Sequence, residues 1–297
     1  MLLLSKLIII ALTSCQLLGL SSAESPLFDP SLSARDMALA KASFSDENIN
    51  NMLKNPAGMA NTNGISIHAN EFLGIDYSSI TFVNQAFGAT FGVHYIGSSM
   101  TGITRSVAEG NLLKEVEGNV PYEYHALSLA SAKEMGDLSI GIGFTMKTLV
   151  LDNANMSAMK GFAGIGLHLF RDFKFGIAVR NINLQDSPAN AFQLKSPIVS
   201  TSFQYNITKK TTLFMAIIEN KNEIITHSTF HYSIEHYMND YIPIRIGLDH
   251  NRYTFGTGLL LDPFEIDLGW AQSRSPEVEH QITMGFSYGF EEKNDLY

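Results

Sequence analysis

A strict two-residue period near the end of the chain limits its fold more than any other feature. In Glu279–Phe290, E-H-Q-I-T-M-G-F-S-Y-G-F, the residues Ile282, Met284, Phe286, Tyr288 and Phe290 share one face. Gln281, Thr283, Gly285, Ser287 and Gly289 share the other. Successive side chains of a strand point to opposite faces, so this is a β-strand with one apolar and one polar side. A last strand of this kind can pair with a first strand and leave a sheet without edges.

The same period recurs from Ile65 onward. Strands are expected at Ile65–Asn70, Gly74–Val83, Ala86–Gly97, Tyr122–Lys133, Leu138–Val150, Ala158–Phe170 and Phe173–Ile182. They continue at Ser196–Asn206, Thr211–Asn220, Ile225–His236, Ile242–His250, Tyr253–Leu261, Phe264–Ala271 and the closing stretch. This makes about fourteen, an even number within the range of bacterial outer-membrane barrels. The connections mostly alternate. Those at Ser98–Pro121, Leu151–Ser157, Asn183–Lys195 and Gln272–Val278 are long, whereas Asn84-Gln85, Arg171-Asp172 and Asp262-Pro263 are tight. Long extracellular loops and short periplasmic turns produce that alternation.

Alternation alone leaves open whether the apolar face meets lipid or a core, since a soluble sandwich or propeller has the same period. The choice is tilted toward a membrane by strands near the roughly ten residues that a tilted transmembrane strand needs. Charge is scarce on the apolar faces, and aromatics such as Tyr95, Tyr124, Phe173, Trp270 and Tyr288 sit at strand ends, where interfacial girdles belong. Only 16% of the chain is charged, against about a quarter in soluble proteins.

Residues 1–23 read as a secretory signal. A single Lys6 precedes the apolar run Leu7–Leu20, and Ser21-Ser22-Ala23 supplies small residues for cleavage. Leu12-Thr13-Ser14-Cys15 is a rival lipoprotein-type ending that would make Cys15, the only cysteine, a lipidation site. Residues 24–62 form a segment of short helices before the strands, and 63–297 the barrel. Pro56 ends the helical part, and Asn55-Pro56-Ala57-Gly58 reads as a turn.

The run S-A-R-D-M-A-L-A-K-A-S-F-S-D followed by N-P-A-G-M-A resembles the start of the FadL/PorV/PorQ-type outer-membrane barrels. Asn55, Pro56, Ala57 and Gly58 match the family turn, Met59 stands for its usual Leu, and Arg35 occupies the place of its early Arg. Arg245-Ile246-Gly247 and Phe255-Gly256-Thr257-Gly258-Leu259 are similar to its late hairpin. The resemblance implies an all-β, closed antiparallel transmembrane barrel in the outer membrane, surrounded by lipid, with the N-terminal segment tucked into its periplasmic end as a hatch. It further implies either passage of hydrophobic small molecules, leaving by a lateral opening, or a non-transporting barrel that binds a protein partner in secretion or surface attachment.

The residues point to no cofactor, metal or catalytic site. His227 and His231 lie four apart on one strand face, roughly 13 Å at strand rise, too far to share a metal. Gly141-x-Gly143 and Gly256-x-Gly258 are strand glycines with no helix N-terminus after them to hold phosphate. A nucleophile triad of the phospholipase-barrel kind is set by geometry and not by spacing. The mature chain carries 19 Lys+Arg against 29 Asp+Glu, a net of −10 once Lys6 is removed, which argues against nucleic acid. The polar strand faces place Lys147, Lys174, Arg180, Glu235, Arg245, Asp249, Glu265 and Asp267 inward, where a network among themselves or to the hatch is one expectation and a solvated lumen wall the other. In the long connection Ser98–Pro121, Ile103, Val107, Leu112, Leu113 and Val116 are possible contacts for a ligand or partner, or part of a plain rim loop.

Overall fold

The computed structural model describes residues 33–72, 75–109, 112–152, 154–185, 197–221, 226–274 and 280–290. Fourteen strands run in chain order: β1 Gly64–Phe72, β2 Ile75–Ala86, β3 Ala89–Glu109, β4 Leu112–Met135, β5 Leu138–Leu151, β6 Ala154–Phe170, β7 Phe173–Gln185, β8 Ile198–Thr208, β9 Thr211–Lys221, β10 Thr226–Tyr237, β11 Pro243–Leu248, β12 Arg252–Leu261, β13 Phe264–Ser273 and β14 Gln281–Gly289. Each pairs antiparallel with its neighbour in sequence, and β14 pairs with β1 from Gly64↔Gly289 to Glu71↔Ile282, closing the sheet into a barrel. Closure pairs each strand on both sides through the barrel wall, the condition for a sheet to cross hydrocarbon.

The period-two pattern settles which way each side chain points. In β14, Ile282, Met284 and Phe286 are exposed on the outside, while Gln281 and Thr283 are buried inside. In β13, Phe264, Ile266, Leu268 and Trp270 face out, and Asp267 faces in. The same outward apolar face recurs around the wall, at Ile80 and Phe82, Phe91 and Val93, Leu127 and Leu129, Ile140 and Ile142, Ile177, and Phe255. An apolar exterior around a polar interior reverses the arrangement of a soluble barrel and is that of a bacterial outer-membrane barrel. At the end where β1 begins and β14 finishes, Phe264, Tyr288 and Phe290 form an aromatic cluster, with ring centroids 5.0 Å apart for Phe264 and Tyr288 and 5.7 Å for Tyr288 and Phe290. Short turns such as Gly136-Asp137 and Arg171-Asp172 lie at that same end, which makes it the periplasmic one.

Two expected loops are strand instead. The connection read as Ser98–Pro121 is a hairpin in which β3 and β4 stay paired from Met100↔Tyr122 out to Glu109↔Leu112, with register shifts at Met100/Ile103 and Thr104/Arg105. Likewise β6 begins at Ala154, inside the expected loop Leu151–Ser157. Above the lipid boundary no outward apolar face is required, so pairing continues where the sequence period fades. The backbone at Ile103, Leu112 and Leu113 belongs to this ribbon, and their side chains lie outside the described residues.

An outward charge tests the topology. Leu268→Arg, mid-strand and 47% exposed, is expected to lower the stability of the refolded barrel in a bilayer by about 2–4 kcal/mol. At an exposed site of a soluble protein the same change would stay within about 0.5 kcal/mol. Urea titration in phospholipid vesicles distinguishes the two.

Candidate functional site

The N-terminal segment 33–62 fills the periplasmic half of the lumen. It comprises the short helix α1 (Ala34–Ala38) and two 3-10 turns, Ile49–Leu53 and Pro56–Met59. Each has a side-chain cap. The Ser33 hydroxyl accepts from the Asp36 N–H at 3.1 Å, Asn48 accepts from Asn50 at 2.8 Å, and Asn55 accepts from Ala57 at 3.2 Å. Pro56 occupies the first turn of its helix, where its missing N–H costs nothing. Ala34, Met37, Leu39, Phe44, Met52 and Met59 are all buried. Such short pieces cannot hold together alone, so the wall holds them.

That contact depends on strand glycines. A Cβ on Gly141 of β5 would lie 2.5 Å from the Pro56 carbonyl carbon and 2.6 Å from the Ala57 nitrogen, and a Cβ on Gly269 of β13 would strike the Ala34 carbonyl. The turn Asn55-Pro56-Ala57-Gly58 therefore rests directly on wall backbone. The Asn55 side chain donates to Phe44 O at 2.9 Å and to Ile165 O of β6 at 3.2 Å, joining plug to wall. Opposite, the Thr254 hydroxyl donates to Ala38 O at 2.8 Å, and His231 Nδ1 lies 2.7 Å from Ala40 O.

Charges lock the segment further. Arg245, wholly buried, donates through Nε to Glu235 at 2.5 Å, pairs with Asp267, and reaches Glu265 at 3.5 Å. Glu235 is shared. Arg35 of α1 donates to both its oxygens, at 2.9 and 3.2 Å, and pairs with Asp46 as well. A chain of charge-assisted hydrogen bonds thus runs from the β13 carboxylates through Arg245 and Glu235 into the plug. Inside the plug, Lys54 pairs with Asp36, and the Ser43 hydroxyl donates to Asp36 at 2.8 Å. Burial pushes the Asp36 carboxyl up, but the Lys54 ammonium and the hydrogen bonds from Lys54, Ser43 and Ser33 outweigh burial and hold it below its ordinary 3.8. At the periplasmic rim Glu47 accepts from Lys174 at 2.9 Å and lies 2.6 Å from His168.

Of the inward charges read from the sequence, Arg245, Glu265, Asp267 and Glu235 come together. Asp249 stands apart, pairing with Arg252 at 2.8 Å and closing the β11–β12 turn. Lys147 and Arg180 line a different region, with Lys160, which sequence reading did not single out. The Arg180 guanidinium lies 5.5 Å from the Phe44 ring centre.

The extracellular half is different. Between β2 and β6 the polarity reverses along the barrel axis. Ile75, Tyr77, Ile96, Tyr124, Leu149 and Met156 pack as a buried inward cluster, while Asp76, Ser78, Ser99, Glu123, His125 and Ser157 are exposed outside. The wall here rises above the lipid and carries an apolar cluster on its inner side. Ile96, Tyr124 and Ala126 at its base also line a cavity of about 50 Å³ with Leu53, Lys147, Lys160, Gly161, Phe162 and Arg180. On the lipid side of the same wall lies an apolar recess of about 490 Å³, bordered by Phe91, Leu129, Ile142, Phe144, Ile182 and Leu184, with Gly161 and Phe162 at its floor.

A buried Ser–His pair in the lumen lacks catalytic geometry. Ser66 Oγ at 2.5 Å and Asn50 Oδ1 at 2.9 Å both approach His68 Nε2, while Nδ1 has no hydrogen-bond partner. A triad requires the serine and the orienting group on opposite ring nitrogens. Among the described residues no group of His, Cys, Asp and Glu could hold a metal ion, and the side chain of His227 lies outside them.

No protein-family profile and no curated protein sequence matches the chain. The fold has solved counterparts. The Pseudomonas putida toluene transporter TodX superposes with a TM-score of 0.60 at 11% identity, over 87% of this chain and 97% of that one. A TodX monoaromatic hydrocarbon channel deletion mutant gives 0.66 at 10% identity, over 88% and 99%. A Pseudomonas aeruginosa FadL homologue gives 0.59 at 9% identity, over 87% and 98%. The chain has the fold of the FadL-type outer-membrane barrels.

Two predictions follow from the plug. Arg245→Ala strands Asp267 in the wall and leaves Glu235 to Arg35 alone, which costs about 3–5 kcal/mol, so residues 33–60 become cleavable by added protease while Arg245→Lys partly restores protection. Unchanged protection in Arg245→Ala would sever the link between wall charges and plug. For pH the sign is set by the depressed Asp36 carboxyl. Its contribution is complete above its ordinary 3.8 and is lost as pH falls through the lower folded value. Acid in that range is expected to expose the plug to an acid protease, and Asp36→Asn to remove the transition.

Proposed function

We propose that this barrel carries small hydrophobic molecules inward across the outer membrane and delivers them sideways into the bilayer. The observation that carries the reading is the meeting of the inner cavity and the lipid-facing recess at the same two residues, Gly161 and Phe162. The apolar residues of the extracellular half, of which Ile96, Tyr124 and Ala126 line the inner cavity, suit contact with such molecules, because burying apolar surface is favourable by about 25 cal/mol per Å². The plug fills the periplasmic half, which favours a sideways exit over an aqueous pore. The fold shared with a toluene transporter and a FadL homologue supports the same class of cargo.

The decisive comparison uses the dye N-phenylnaphthylamine, which fluoresces once it enters a membrane. Gram-negative cells producing the barrel are expected to take it up several-fold faster than cells without it, while the purified protein shows no steady ion conductance in planar bilayers. Steady conductance without accelerated dye entry would overturn the reading.

A second reading, a barrel that binds a secreted or surface protein, is favoured by one feature. The β3–β4 ribbon extends past Asp76↔Ser99 and Tyr122↔Leu151, where β2 and β5 stop pairing with it, so both its outer edges lack strand partners among the described residues. Exposed edges of this kind recruit extended segments. Removal of Thr101–Gly118 is expected to leave dye entry intact under the transport reading and to abolish co-purification of a partner under this one.

A further inference from the structure

The geometry points to Phe162 as a side-chain shutter in the barrel wall, and to its ring as the element that sets which hydrophobic molecules leave the lumen. This inference rests on the transport reading above and adds the position and identity of the gate.

Phe162 breaks the pattern of its own strand. On β6 its neighbours in the inward phase are Lys160 and Gly164, yet Phe162 is an inward aromatic, 4% exposed. It belongs to one buried apolar cluster with Met52, Met59 and Ala60 of the plug and Val83, Ala130 and Ala132 of the wall. The opposing residue on β5 is Gly143. A Cβ there would strike the Phe162 ring, so the glycine leaves the space that the ring occupies. Gly161, next to it, is covered on the lipid side by Leu184, whose methyls lie 3.2 and 3.3 Å from where a Cβ would stand.

The β6–β7 ladder is irregular at the same height. On the β5 side, pairing is continuous from Leu138↔Leu167 to Leu151↔Ala154. On the β7 side it steps from Gly161↔Ile182 to Ala163↔Val179, so Phe162 has no paired residue and Arg180 and Asn181 bulge opposite it. Asn181 has φ +59°, the left-handed region that a bulge of this kind requires. The irregularity also turns the β7 side chains beyond it, which brings Ile182 and Leu184 onto the lipid face, where they wall the recess. A ring, a glycine backbone and the β7 bulge are what separates lumen from lipid here. With the ring in place the inner cavity holds only about 50 Å³, room for a water or two, so the structure is closed at this point. Rotating one side chain away from Gly143 opens the connection without breaking the β5–β6 ladder, and side-chain rotation is fast compared with strand separation.

The test measures entry of N-phenylnaphthylamine, and of the bulkier pyrene, into cells producing full-length protein, with heat-dependent gel mobility reporting barrel folding. Phe162→Ala is expected to raise dye entry several-fold and to narrow the difference between the two probes. Phe162→Trp is expected to slow both. Leu184→Trp, which fills the recess from the lipid side without touching the lumen, is expected to slow both as well, and with Phe162→Trp it decides the matter if Phe162→Ala does not fold. If wild type accelerates entry and the folded variants all match it, the shutter is overturned and the transport reading stands. If wild type does not accelerate entry at all, the transport reading falls and the shutter with it.

Discussion

A backbone amide in hydrocarbon has no water to bond, and this constraint underlies the rest of the structure. Fourteen strands satisfy it only because β14 returns to β1 and closes the ladder from Gly64↔Gly289 onward. Closure dictates what each face can carry. The outer face must be apolar across the bilayer and carries residues such as Ile282, Met284, Leu268 and Trp270. The inner face is shielded from lipid and can hold Arg245, Glu235 and Asp267.

A barrel of fourteen strands encloses more space than its own side chains fill. Here the chain supplies the filling from its N-terminal segment. Because that segment is short and has little helix-forming strength, its position depends on the wall. Glycines let its backbone touch the strands, capped turns satisfy its amides, and the Arg35–Glu235–Arg245 relay ties it to β10, β11 and β13. Buried charges in such a relay contribute less to net stability than their Coulomb energy suggests, since each was desolvated first. Their value lies in direction. A glutamate shared between a plug arginine and a wall arginine leaves one arrangement satisfied and strands a charge in the others.

The plug occupies the periplasmic half of the lumen. The reversal of polarity between β2 and β6 follows from the same rule that makes the belt apolar. Once the wall rises out of lipid its outside can be polar, and its inside is free to be apolar. The apolar cluster, the small cavity below it and the recess on the lipid face then lie in sequence on one side of the barrel, and the irregular β6–β7 pairing lies between the last two.

Much of the architecture was legible in the chain. A period of two in fourteen stretches reports which side chains share a face, and the count, parity and antiparallel order of the strands follow from it and from the tight turns. The inward placement of Arg245, Glu265 and Asp267 was readable for the same reason. The sequence did not determine where β3 and β4 end, because outside lipid the period fades while backbone pairing continues. Nor could it show that Arg35 shares Glu235 with Arg245, or that Lys54 pairs with Asp36, since these partners are brought together by closure and not by spacing. Phe162 did carry a local signal, an aromatic in the inward phase between Lys160 and Gly164. Its place opposite Gly143 and beside the bulge at Asn181 was set only by strand register in the closed barrel, because register is a relation between strands and no single strand contains it.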